Sequence, residues 1–296
     1  MKTLKKSVVA ALAAATLLAS FAVAAPANAA TAEHRPDPLA VVEGRGLVGD
    51  AAVQARQVVA EKNAKAPSAA KAIYTPVDIS AVVPETATTT EGDLKVHRAN
   101  DNTYGVVTGP GRNGLEAGYI VVNSADAPTE YKFTIGDAKT RLTLNSDGSI
   151  AVKNAAGKQV NYIQKPWATD ANGKDLPTSY SIAGNVVTQI VQHRGAAYPV
   201  VADPETGCGI GWCSIWFNRS ETGALAQGGA AAQTIFSVAC GKQPFWAQAA
   251  CGLIFGSVVI AANIAMGQGD CVAASIWGIP PVATWGPYAY SGPQCR

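Results

Sequence analysis

The side chains best equipped for redox or metal chemistry are six cysteines: Cys208, Cys213, Cys240, Cys251, Cys271 and Cys295. All lie in the last 89 of the 296 residues. Cys208-Gly-Ile-Gly-Trp-Cys213 is a C-x4-C. A dithiol oxidoreductase uses C-x-x-C, and a zinc site needs further Cys or His at set spacings. Neither pattern occurs, and no histidine follows His193. The six therefore read as structural disulfides rather than as metal ligands. Their even number fits an oxidising compartment, and the sequence leaves their pairing open.

Hydrolytic chemistry needs a base beside a nucleophile, or two carboxylates flanking a scissile bond. The histidines are His34, His97 and His193, and no G-x-S-x-G occurs. His193 with Asp170 or Asp203 can be assembled on paper, but no spacing favours it. Past Pro204 the carboxylates are Glu205, Glu221 and Asp270. Asp170-Ala-Asn-Gly-Lys-Asp175 places oxygen ligands at alternate positions. Its glycine comes too early for a calcium loop and no distal Glu follows, so a tight turn is expected. No residue is assigned a catalytic, metal or cofactor role, and an unrecognised secreted hydrolase stands as a minor reading.

Several segments would have to position these residues. Lys2, Lys5 and Lys6, an apolar run from Val8 to Ala25, and Ala27-Asn28-Ala29 have the order of a secretory signal peptide, with cleavage expected before Ala30. Its removal would take three lysines and shift the formal charge from +2 to −1. No Lys/Arg cluster marks a polyanion site, which argues against a nucleic-acid partner. Residues 30–83 read as a linker or pro-segment, partly helical, with Val53, Val58 and Val59 near one face of a helix over 48–66. Residues 84–203 read as an antiparallel β-sandwich. Tyr131, Phe133 and Ile135 alternate with polar residues, while Asn145-Ser-Asp-Gly148, Asn154-Ala-Ala-Gly157 and Gly184-Asn185 are turn signals.

Within that segment Pro166-Trp-Ala-Thr-Asp-Ala-Asn-Gly-Lys174, Pro177-Thr178 and Tyr198-Pro-Val-Val-Ala-Asp-Pro204 stand out. Together they resemble a β-domain recurring in secreted actinobacterial proteins, some of them uncharacterised two-domain proteins and some large wall-associated proteins of the RHS type. The resemblance covers residues 130–204. It implies a carrier or spacer that precedes unrelated C-terminal modules, rather than a catalyst.

Residues 204–296 read as a small, mainly helical, disulfide-stapled domain. They hold six charged residues and five of the six tryptophans. Asn218-Arg-Ser-Glu221 is a capping-box start for a helix running to about Cys240, weakened by Gly223, Gly228 and Gly229. The Asn218-Arg-Ser220 sequon is read as incidental. A second helix is expected over Phe245–Met266, capped by Gly267, and no charge occurs between Lys242 and Asp270. At ~1.5 Å per residue it would span about 33 Å, enough for a bilayer core. Gly252-Leu-Ile-Phe255-Gly256 is a G-x-x-x-G, a helix-packing or membrane face, though a buried core helix is the favoured reading of these residues. The tail after Cys271 is expected to be irregular, offering Trp277, Trp285, Tyr288 and Tyr290 as binding aromatics. The expected function is a secreted, non-enzymatic protein whose module binds cell-envelope polymer, a membrane or a protein partner, with no small-molecule cofactor. A membrane-active, antimicrobial-like effector is the alternative, and proteolytic release at Asp203-Pro204 is a further expectation.

Overall fold

A computed structural model describes residues 35–49, 53–54, 56–57, 60–61, 64, 77–84, 86–111, 114–209, 212–243, 247–248, 251–277, 284–291 and 295. The expected signal peptide, His34, Val58 and Val59 lie outside them. Val53 is described and exposed. In chain order the elements are α1 (Pro38–Gly44), β1 (Ile79–Val82), β2 (Thr86–Glu91), β3 (Leu94–Ala99), β4 (Tyr104–Pro110), β5 (Glu116–Val122), β6 (Glu130–Ile135), β7 (Arg141–Leu144), β8 (Ile150–Lys153), β9 (Gln159–Ile163), β10 (Ala168–Thr169), β11 (Thr178–Ala183), β12 (Val186–Val191) and β13 (Val200–Ala202). The C-terminal module follows with β14 (Cys208–Gly209), β15 (Trp212–Trp216), α2 (Arg219–Gln227), α3 (Gly229–Gly241), α4 (Phe255–Gln268), β16 (Cys271–Trp277) and β17 (Thr284–Tyr290).

The front of the chain is antiparallel β, as its alternation predicts. One sheet has the order β1-β6-β12-β11 and another β10-β13-β5-β4-β3-β2, with β7-β8-β9 as a three-stranded flank. Phe133, Ile135 and Val187 of the first sheet, Ile120, Val122 and Val200 of the second, and Ile150 and Ile163 of the flank share one buried core. The turns fall where the sequence signals them. Ala183 pairs with Val186 across Gly184-Asn185, and Asn145 N–H donates to the Ser149 carbonyl at 2.8 Å.

β5 is buried on both faces, which explains its uninterrupted apolar run. Ile120 and Val122 face the sandwich core, whereas Ala117, Tyr119 and Val121 belong to a second cluster with Leu39, Val42, Leu47 and Val48. The linker reading is therefore corrected at both ends. Asp37 caps α1 through Leu39 N–H, and Pro38 suits its first turn. Arg45 then donates to Thr169 Oγ1 and to the Asp170 and Pro199 carbonyls. Ile79–Val82 pairs with β6 inside the first sheet. These segments, a seven-residue helix and a four-residue strand, are too short to announce themselves alone; they gain their structure by covering a finished sheet.

The β-domain runs into the module without a loose joint. Ala117 bridges Glu205, and Ile163 bridges Thr206. Asp203, Glu205 and Thr206 are buried to 0%, 1% and 1% exposure, so the folded chain does not offer the Asp203-Pro204 bond as the accessible segment that a protease needs. A Cβ at Gly207 would collide with the Tyr162 ring, so the glycine lets the first module residues pass over β9. Asn161 clamps Cys208 through both its amide atoms, and Tyr162 Oη donates to the Ser214 carbonyl. Two ion pairs, Lys165–Glu221 and Lys242–Asp147, also cross between the parts.

The module contains more than helices. β14-β15-β16-β17 form a four-stranded antiparallel sheet, which corrects the expectation of an irregular tail. Cys271–Trp277 pairs in full register with Thr284–Tyr290. The disulfides join neighbours along the chain: Cys208–Cys213, Cys240–Cys251 and Cys271–Cys295. The first ties the facing residues of the β14–β15 hairpin. The capping box at Asn218 and Glu221 forms as expected. The helix it starts is broken at Gly228, whose φ of 70° is left-handed, and resumes as α3.

Candidate functional site

The second expected helix is shorter than its uncharged run. After the Cys251 disulfide and a 3-10 turn at Gly252–Ile254, α4 covers 14 residues and stops at Gly269 rather than Gly267. Gly269 is left-handed and returns its N–H to the Ala265 and Met266 carbonyls. A helix of that length is about 21 Å long, short of the ~30 Å hydrocarbon core. Among the described residues no helix is long and apolar enough to cross a membrane.

The residues of α4 are distributed against ordinary packing. Its buried positions are the small or medium Val258, Ala262 and Ala265, which meet Leu225 of α2 and Val272 and Ala274 of β16. Beyond Phe255, several large apolar side chains on or beside it point outward. Leu253, just ahead of the helix, is 87% exposed, Ile260 65%, Ile264 57% and Met266 38%. Ile260 and Ile264, four residues apart, lie on one face of α4, and exposed Leu253 precedes the helix on the 3-10 turn. No charged residue interrupts this stretch from 243 to 269. Asn263 fixes the helix by donating to the Ala226 carbonyl at 2.8 Å.

The other expected site residues divide. Gly252 and Gly256 are exposed with open space around them, so among the described residues no helix packs on the G-x-x-x-G. Phe255 turns inward and packs against Phe236, ring centroids 5.5 Å apart. Trp277 and Trp285 are placed by backbone pairing on β16 and β17, their side chains lying outside the described set. Tyr288 is exposed. Tyr290 donates to the Phe217 carbonyl at 3.0 Å and is a structural anchor rather than an open binding aromatic.

The groups that might have formed a hydrolytic site are held in structural hydrogen bonds. His193 is fully buried, one ring nitrogen on Tyr198 Oη at 3.1 Å and the other on the Pro128 carbonyl at 2.9 Å. Asp170 accepts from Asn172 and Lys174 N–H in its own turn, so the faint calcium pattern is a closed turn. Asp203 accepts from Trp167 N–H at 2.8 Å and from Gln189 Nε2 at 3.1 Å. Burial pushes its carboxyl well above the ordinary range, and nearby Glu205 pushes the same way. Glu205 in turn accepts from Tyr119 Oη at 2.7 Å. Burial beside Lys95 lowers His97, which hydrogen-bonds Thr88 on the sheet surface. Among the described residues no group of three or more His, Cys, Asp or Glu is arranged to hold a metal ion.

The outward stripe on α4 is what residue-by-residue reading missed. Its signal, the spacing of Ile260 and Ile264, was present, but a buried and an exposed stripe look alike until the neighbours are known. Comparison with protein-family models, curated proteins and solved structures finds no match for this chain, so the site must be read from its own geometry.

Proposed function

We propose that this is a secreted, non-catalytic envelope protein in which a carrier-like β-domain presents a disulfide-stapled module to a lipid surface. The outward apolar stripe of α4 carries the reading. Three disulfides are compatible with an extracellular setting.

The magnitudes favour lipid over a protein partner. The exposed fractions of Leu253, Ile260 and Ile264 amount to roughly two side chains, worth about 4 kcal/mol if covered. At ~25 cal/mol per Å² that is roughly 160 Å² of apolar surface, far below the ~800 Å² per partner of a stable protein interface. A bilayer surface needs no matching shape. An affinity of about 10³ M⁻¹, below the ~10⁴ M⁻¹ of a single myristoyl chain, describes reversible peripheral seating. It is too weak for stable insertion, which favours docking over the lytic, antimicrobial-like alternative. The braced joint to the β-domain agrees, since the module is not free to unfold into a membrane.

The test is sedimentation of the full oxidised protein with phosphatidylcholine vesicles, beside a dye-leakage assay. Salt-insensitive pelleting without leakage is expected. Leakage would favour the lytic effector, and absence of pelleting would remove the reading.

A further inference from the structure

A cavity of about 770 Å³ lies where the β-domain meets the module. That volume is within the usual range for small-ligand sites, which favour such junctions. One wall is the β7–β8 hairpin, the segment at 164–168 and the start of β11. The other is the end of β15 and one side of α3. None of this surface belongs to the α4 stripe.

The wall has three chemical features. First, its cations are cancelled internally. Lys165 and Lys242, the cations among its described lining residues, are each committed to a carboxylate across the joint, Glu221 and Asp147, while exposed Asp175 adds a further carboxylate that disfavours anions. Neither lysine is left for a phosphate or carboxylate. Second, the apolar lining comes from both parts and reaches the mouth. Leu144 is 46% exposed on β7 and Val238 48% on α3, while half-buried Trp216 lies on the module wall. Third, neutral hydroxyls edge this surface: Ser146, Ser179 and Thr234 are all exposed and all line the cavity.

An uncharged ligand with apolar C–H faces and a rim of hydroxyls matches that combination. A fatty acid would need a cation for its carboxylate, and a purely apolar ligand would leave the hydroxyl edge unused. We infer that the interdomain cavity binds a neutral oligosaccharide, stacked against Trp216 and hydrogen-bonded along the Ser146, Ser179 and Thr234 edge. This does not depend on the lipid reading, because its residues are elsewhere.

The test is calorimetric titration of the full oxidised protein with three probes: the neutral β-1,4-linked tetramer of N-acetylglucosamine, an anionic tetragalacturonate, and decanoate. The neutral sugar is expected to bind measurably and the two anions not. Trp216→Ala should weaken sugar binding by about tenfold or more, the usual effect of truncating an aromatic anchor. Because Trp216 is half-buried, Ser146→Trp is the second variant. It sits on an exposed turn, should leave the melting curve in place, and should block the cavity. Tighter binding of tetragalacturonate or decanoate, silence toward all three probes, or sugar binding untouched by a folded Ser146→Trp would each overturn the inference.

Discussion

Replacing Ile260 and Ile264 together by serine tests the lipid-facing reading at its centre. The two side chains are 65% and 57% exposed, a little more than one whole side chain of apolar surface. At about 2 kcal/mol per covered side chain the double change should remove about 2.5 kcal/mol of membrane affinity, or roughly a 50-fold fall in vesicle partitioning. The fold should not notice, because exposed substitutions away from caps and special backbone usually stay within about 0.5 kcal/mol. Val82→Ser on β1, 45% exposed and on the other domain, is the control. Vesicle pelleting at low and high salt gives the partition, and urea unfolding of the same samples gives stability. Partitioning of I260S/I264S equal to wild type would refute the reasoning. So would wild-type binding that collapses in salt, since the stripe carries no charge to screen.

Three further outcomes follow from the fold. Cys240→Ala with Cys251→Ala opens a disulfide spanning 11 residues and should cost about 3 kcal/mol in urea unfolding, with a larger loss for wild type under reductant, which opens all three bridges. Leu47→Ala, at a side chain with 0% exposure, should cost about 2–4 kcal/mol by denaturation; a near-zero cost would restore the linker reading of 30–83. The carboxyl of Asp203 is raised in the fold, so its folded form favours the proton and the native state holds more protons than the unfolded chain above the ordinary carboxylate range. Its contribution is complete at acid pH and is lost as pH rises toward and through the raised value. Asp203→Asn keeps the acceptor for Trp167 N–H without the buried charge. Melting curves from pH 4 to 8 should show its stability flatter with pH than wild type and higher at neutral pH.

Some of this protein was legible residue by residue because the physics involved is local. Alternation at Tyr131, Phe133 and Ile135 needs only the pleat of a strand to bury one face. Gly184-Asn185 needs only a tight turn, and the Asn218/Glu221 box only the free amides of a first helical turn. Even the separation of a thiol-free front from a stapled back is composition. Other features are relations between distant residues. Pro38–Val48 is ordered because Tyr119 and Val121 present an apolar sheet face that needs a cover, and nothing in its own residues states that. Thr284–Tyr290 becomes a strand because Cys271–Trp277 offers it an edge, although Gly286 and Pro287 argue locally against one. The pairing of the six cysteines depended on which backbones meet. Whether Leu253, Ile260 and Ile264 faced core or solvent depended on Ala262 and Ala265 being small enough to pack closely against α2 and β16. An apolar stripe fixes the period of a helix; only the partner that buries the opposite face decides which side is left outside.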